Sequence, residues 1–86
     1  MKQFACTITT HAGIHGRNAG LIARLAKSFS DTAVTICCDG REANGTLRHK
    51  LMSLGAKMGS RVTIVTDGAD EDAAIIALSN FFQNNL

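Results

Sequence analysis

Two periodicities meet at one short stretch, and their meeting limits the folds open to this chain. Phe4 to Thr9 alternates, with Phe4, Cys6 and Ile8 against Ala5, Thr7 and Thr9, the pattern of a half-buried strand. From Gly16 to Phe29 the period is helical: Ile22, Leu25, Ala26 and Phe29 share a face, Leu21 lies off it, and Arg17, Arg24 and Lys27 flank it. Thr10 to Gly13 is the connecting loop, so Gly13-Ile14-His15-Gly16-Arg17-Asn18-Ala19-Gly20 turns a strand into a helix. The first N–H groups of a helix lack internal partners, and with the positive end of the dipole they attract anions and phosphates in particular. His15 stands on this site and Arg17 two residues inside it. A nucleophilic imidazole beside a phosphate cradle points to a residue that takes up a phosphoryl group and hands it on.

The remaining chain continues the alternation of element types. Ala33 to Cys38 is β-branched and apolar, Asp39-Gly40 is a hairpin turn, and Arg41 to Asn44 is a short polar edge strand. Thr46 is placed to cap a helix of about two turns from Leu47 to Leu54, closed by Gly55. Arg61 to Thr66 alternates as a fourth strand, and Asp67-Gly68 reads as a turn. Asp70, Glu71 and Asp72 load negative charge onto the start of a last helix, in which Ala74, Ile75, Leu78, Phe81 and Phe82 share a face and Ile76 does not. The order β-α-β-β-α-β-α predicts an α+β fold in one domain, 1–86, with helices packed on one face of a mainly antiparallel sheet.

Composition narrows the function classes. A formal net charge of +2 suits an acidic protein partner but not the clustered basic surface of a nucleic-acid binder, and no aromatic platform for bases is interleaved with the cations. Cys6, Cys37 and Cys38 are odd in number and two are adjacent, a spacing that suits neither a disulfide framework nor zinc and fits free thiols in a reducing cytosol. No apolar run approaches the roughly 20 residues of a membrane span, and the N-terminus turns polar within a few residues, without a secretory apolar region.

His15 by itself supports two readings, a surface histidine in a glycine-rich loop and a phosphoryl acceptor. The helix start, the small neighbours Gly13 and Gly16, and Arg17 favour the second. His11 and His15 are four apart, yet Gly13 between them opposes a helix and no glutamate follows His11, so no metal site is expected. His49, between Arg48 and Lys50, reads as exposed. Gly13 to Gly16 also matches the bare GxxG of KH domains, but that loop joins two helices, whereas this one follows a strand. Leu47, Leu51, Met52 and Leu54 cannot all turn inward from so short a helix, so one or two should be exposed. With Leu21 they form either an apolar docking patch rimmed by Arg17, Arg24, Lys27, Arg48 and Lys50 or part of an ordinary solvated basic face.

Gly13-Ile14-His15-Gly16-Arg17 resembles the active-site motif Gly-Leu-His-Ala-Arg-Pro of the histidine-containing phosphocarrier proteins (HPr) of the bacterial phosphoenolpyruvate-dependent sugar phosphotransferase system. Leu51-Met52-Ser53-Leu54-Gly55, Gly59, and Gly68-Ala69-Asp70-Glu71 with Ala74 are similar to its other recurring stretches, and the likeness spans essentially the whole chain. It implies an open-faced β-sandwich of four strands with three helices on one face. It also implies a cytoplasmic, monomeric phosphoryl carrier rather than an enzyme, needing no cofactor. His15 would take phosphate on Nδ1 from phosphorylated enzyme I and give it to the A domain of an enzyme II. Gly16, Arg17 and Asn18 would hold the phosphate, and Leu21, Arg24, Lys27, Leu47, Arg48, His49, Lys50 and Leu51 would dock the partners. Three departures stand out. Asn18 replaces the family's proline and Gly16 its alanine or threonine, both expected to loosen the helix entrance, so that Asn18→Pro should stabilise. Leu47 falls where the family carries a regulatory serine, with Thr46 just before it. These departures imply a specialised paralogue, or alternatively a regulatory one that binds partners with little phosphotransfer.

Overall fold

The register of the sheet decides which side chains form the core. In the computed structural model, which describes all 86 residues, the order is β1 (Lys2–Thr7), α1 (Gly16–Lys27), β2 (Thr32–Cys38), β3 (Arg41–Asn44), α2 (Arg48–Ser53), β4 (Arg61–Gly68) and α3 (Glu71–Asn85). The strands form one antiparallel sheet in the order β1-β4-β2-β3. Phe4, Ile64, Ile36 and Ala43 lie opposite one another across all four strands, and because side chains alternate, this row and its neighbours two residues away point to one face. That face carries Val34, Ile36, Cys38, Val62 and Ile64, all buried under the helices. The other face, with Ala5, Thr35, Cys37, Thr63 and Val65, is left uncovered by helices, with Ala5 exposed and the others half-buried. The fold is thus an open-faced α+β sandwich, as the order of elements implied.

The helices complete the core from above. Helix α3 lies over β4 and β1, α1 packs between α2 and α3, and α2 covers β3. Ile22 and Ala26 of α1 meet Leu51 and Leu54 of the α2 region and Leu78 and Phe82 of α3 in one cluster. Leu21, off the α1 stripe, is 41% exposed, and Ile76, off the α3 stripe, is 60% exposed. Of the four apolar residues around α2, Leu51 and Leu54 are buried while Leu47 and Met52 are exposed. The expectation that Leu51 docks a partner is therefore corrected: it is fully buried and belongs to the core. No helix is long and apolar enough to cross a membrane.

Three boundaries depart from the sequence reading for identifiable reasons. Thr46 does not cap α2. The Asn44 side chain accepts both its N–H (2.9 Å) and its hydroxyl (2.7 Å), and Leu47 becomes an N-cap without a side-chain bond. Strand β4 runs through the expected turn to Gly68, which pairs with Thr32. Only glycine suits that place, because its φ is +150° and a Cβ would collide with the Asp31 carbonyl. Helix α1 ends at Lys27, short of Phe29, where the Ser28 hydroxyl turns back onto the Leu25 carbonyl.

At the far end of the sheet the Met1 ammonium donates to both Glu71 carboxylate oxygens (2.9 and 2.8 Å), and the Gly68 N–H donates to one of them (3.2 Å). Hydrogen bonding to the ammonium, then to Gly68, holds the Glu71 carboxyl below its ordinary 4.5, and the Glu71 bond raises the ammonium above 8.0. The carboxylate's contribution is present above its ordinary value and is lost as pH falls through the lowered one. The ammonium's is present below its ordinary value and is lost as pH rises through the raised one. Glu71→Gln should therefore lower Tm most near neutrality, with the gap closing toward both extremes. Thermal melts across pH test this, and a gap independent of pH would show that charge plays no part.

Candidate functional site

The corner between β1 and α1 is built by one buried amide. His15 is the N-cap of α1, in extended conformation with φ −123° and ψ −177°. Asn18, in the first turn, accepts the His15 N–H on Oδ1 (2.8 Å) and donates Nδ2 to the Gly13 carbonyl (2.8 Å). In return His15 Nδ1 accepts the Arg17 backbone N–H at 3.3 Å, closing a reciprocal cap. Gly13 has φ +62°, and a Cβ there would collide with the Ala56 carbonyl, which accepts the Ile14 N–H at 3.1 Å. On the other side of the loop, Thr9 and Thr10 donate their N–H groups to the Leu86 carbonyl (2.6 and 3.2 Å). The loop is thereby pinned from α1, from the chain before β4 and from the end of α3.

This geometry defines the chemistry of His15. A nitrogen that accepts a hydrogen bond uses a lone pair, so this contact favours the tautomer with Nδ1 unprotonated and the proton on Nε2. The ring is exposed, in a shallow hollow lined by His15, Arg17, Asn18, Leu21, Phe81 and Asn85. Phe81 and Asn85 escaped the sequence reading. Phe81 shares the apolar stripe of α3 and reads as core, and nothing in its periodicity reveals that it is only half-buried beside the corner. His11 is exposed in the loop and His49 on α2, and neither lines the hollow.

The flank of α1 away from this hollow is cationic. Arg24, Lys27 and Arg48 line a groove floored by Gly20 and Ala23, and the Arg48 Nε–H donates to the Gly16 carbonyl at 2.9 Å. Neither α1 nor α2 has an acidic residue in its first turn, and the chain's ion pairs involve only Met1 and Lys2. The cations of α1 and α2 are therefore unpaired. Leu21, Leu47 and Met52 are exposed among them, and His49 and Lys50 are exposed beside Leu47. The three thiols lie in the sheet, where burial pushes each above its ordinary value, so none is a ready thiolate.

Comparison with known proteins agrees with this geometry. Residues 2–84 match the family model described as the HPr component phosphorylation site of the phosphotransferase system. The chain belongs to the HPr family. It is 35% identical over 85 residues to phosphocarrier protein HPr of Mycoplasma genitalium, covering 99% of this chain and 97% of that one. Its fold matches a solved histidine-containing phosphocarrier protein of Mycoplasma with a TM-score of 0.92 and 31% identity, over 96% of this chain and 93% of that one. It also matches Bacillus subtilis Crh, a catabolite repression containing protein crystallised as a domain-swapped dimer, with a TM-score of 0.77 and 29% identity, over 100% and 98% of the two chains.

Within the HPr family the two departures at the corner are corrected by the structure. Asn18 does not loosen the helix entrance: its side chain is buried and engaged at both ends, which a proline cannot reproduce. Gly16 leaves no slack either, because the Arg48 guanidinium occupies the space beside it. The expected stabilisation by Asn18→Pro is therefore reversed. Asn18→Pro and Asn18→Ala should each cost about 1–3 kcal/mol, the loss that follows when buried hydrogen-bonding groups go unpaired. Denaturant unfolding measures this, and a proline variant as stable as the parent would show that the amide clamp contributes nothing.

Proposed function

We propose that this chain is a phosphocarrier in which His15 accepts a phosphoryl group from phosphorylated enzyme I and passes it to the A domain of a sugar-specific enzyme II. The observation that carries the reading is the exposed His15 ring whose Nδ1 lone pair faces a backbone N–H at a helix start. The Nδ1 lone pair attacks phosphorus. A P–N bond forms while the bond from phosphorus to the donor breaks, its electron pair leaving with the donor. Nε2 keeps its proton throughout, so the transferred group rests on a cationic ring and remains a good leaving group for the next acceptor. Once Nδ1 is bonded to phosphorus, the Arg17 N–H is released to a phosphate oxygen. The helix-start backbone at Gly16 and Asn18 adds its positive dipole end, and the Arg17 guanidinium adds charge-assisted bonds. The group is carried and not consumed, so the chain acts as a carrier and not an enzyme that turns over substrate.

Docking falls to the surface beside the corner. Leu21, Leu47 and Met52 give an apolar centre, and Arg24, Lys27, Arg48, His49 and Lys50 a polar rim for acidic partners. The working form is a cytoplasmic monomer. Likeness to Crh supports a second reading, a regulatory binder with little phosphotransfer. The presence of both His15 and Arg17, together with the firm seating of Gly16 and Asn18, favours the carrier.

Phosphoenolpyruvate with enzyme I should add one acid-labile, alkali-stable phosphate, read by intact mass. His15→Ala should abolish it, while His11→Ala and His49→Ala should retain it. A phosphorylated His15→Ala protein overturns the assignment. A serine kinase that acts on the regulatory site of relatives should leave the chain unmodified, since Leu47 has no hydroxyl and that of Thr46 is held by Asn44 at 2.7 Å. Stoichiometric phosphate on Thr46 would refute this.

A further inference from the structure

The Gly16–Arg17 peptide is gripped from both sides. Its carbonyl accepts the Arg48 Nε–H at 2.9 Å, and its N–H donates to His15 Nδ1 at 3.3 Å. A trans peptide is planar, with C=O and N–H pointing in opposite directions, so whatever aims the carbonyl also aims the N–H. We propose that Arg48 is a positioning residue for His15, acting through this single peptide plane, and that Gly16 lacks a side chain to admit it. The proposal rests on the carrier reading above and names a residue that serves the same site from a different helix.

The surroundings of Arg48 support this assignment. A Cβ on Gly16 would stand 2.9 Å from a guanidinium nitrogen of Arg48 and 4.0 Å from Met52 Cε. Any side chain at position 16 must therefore push the guanidinium aside. One turn further on, a Cβ on Gly20 would stand 3.5 Å from Arg48 Nε and 3.6 Å from its Cδ, ordinary contact distances that leave the bond intact. The guanidinium has no carboxylate partner, so its bond to the carbonyl is not diverted into an ion pair. A charged donor on the carbonyl polarises the peptide and strengthens the N–H on its far side as a donor. Before transfer, that N–H keeps the Nδ1 lone pair and the ring orientation defined. After transfer, the same N–H, still aimed by Arg48, meets the phosphoryl group.

Nitrogen NMR separates positioning from general stability. In the parent, the neutral His15 ring should show Nδ1 unprotonated and Nε2 protonated. Arg48→Met and Gly16→Ala should shift the Arg17 amide upfield and move the ring nitrogens toward a mixture of tautomers. Arg48→Lys, which keeps the charge but not the Nε–H, should do the same. The phosphorylation rate at saturating enzyme I should fall about tenfold in all three, as when a reacting group loses its alignment. Gly20→Ala should keep parent spectra and rate. Arg48→Met with parent Arg17 and His15 signals would overturn the proposal, and so would Arg48→Lys with parent signals, which would leave charge alone as the agent. The spectra are read without phosphate, so a parent that fails to accept phosphate defeats the carrier reading while the Arg48 result still stands or falls by itself.

Discussion

The buried side chain of Asn18 is the constraint on which the rest of the corner depends. One amide closes the turn on both sides, taking the His15 N–H and giving a proton to the Gly13 carbonyl. A carboxylate in its place keeps the acceptor and loses the donor, a hydroxyl is too short to span both groups, and proline offers neither. With the turn closed, Gly13 is held at positive φ against Ala56, Ile14 is driven into the core, and His15 is left as the only residue of the corner tip with its ring in solvent. Precision in the placement of the His15 ring therefore comes from the Asn18 side chain behind it.

A carrier has to bind its cargo and then give it up, which restricts how strong the site can be. The donors at the corner are backbone N–H groups, a helix dipole and one exposed guanidinium. An exposed ion pair contributes at most about 1 kcal/mol, since water and salt screen it. Burying the same charges would hold the phosphoryl group more firmly and slow its release. The hollow formed by α1 and the end of α3 leaves the His15 ring open from outside, which in the proposed carrier would suit transfer in both directions. In the proposed carrier, the directional accuracy that Asn18 and Arg48 would supply takes the place of binding strength.

Most of the fold was legible in the sequence because it is written in local periodicity. The alternation around Phe4, Cys6 and Ile8, the stripe through Ile22 and Ala26, and the face of Leu78 and Phe82 each reappear in the core or packed against it. What failed to read out depended on contacts between residues distant in the chain. The cap expected of Thr46 was lost to the Asn44 side chain, Gly68 was kept in the sheet by Thr32, and Leu51 was claimed by the core. The corner shows the same division. The place of His15 and Arg17 at a helix start was legible from the end of the alternation and the two glycines. The roles of Asn18 and Gly16 were misjudged because an asparagine in a first turn reveals nothing of the carbonyl it will reach. Likewise, a glycine reveals nothing of an arginine 32 residues away.

The placement of charge follows a similar logic at larger scale. Residues 1–30 and 43–66 contain no aspartate or glutamate, so β1, α1 and α2 carry no negative side chain. Asp31, Asp67, Asp70, Glu71 and Asp72 gather where β4 leaves the sheet and β1 enters it, since Lys2 pairs with Thr66 and Thr32 with Gly68. The corner lies beyond the opposite end of β1, where Thr7 pairs with Arg61. Asp39 and Glu42 are the exceptions, at the corner's end of the sheet because Cys38 pairs with Val62 as Cys6 does, so the separation of charge is partial. In the proposed carrier the acid-free surface of α1 and α2 would favour the approach of an acidic partner, an effect on encounter more than on the strength of the final complex. It also excludes carboxylates that would compete with phosphate for the helix-start N–H groups or pair with Arg48. Under the proposed function the unpaired cations keep the corner's donors free, because an acid placed among them would occupy the groups offered to phosphate.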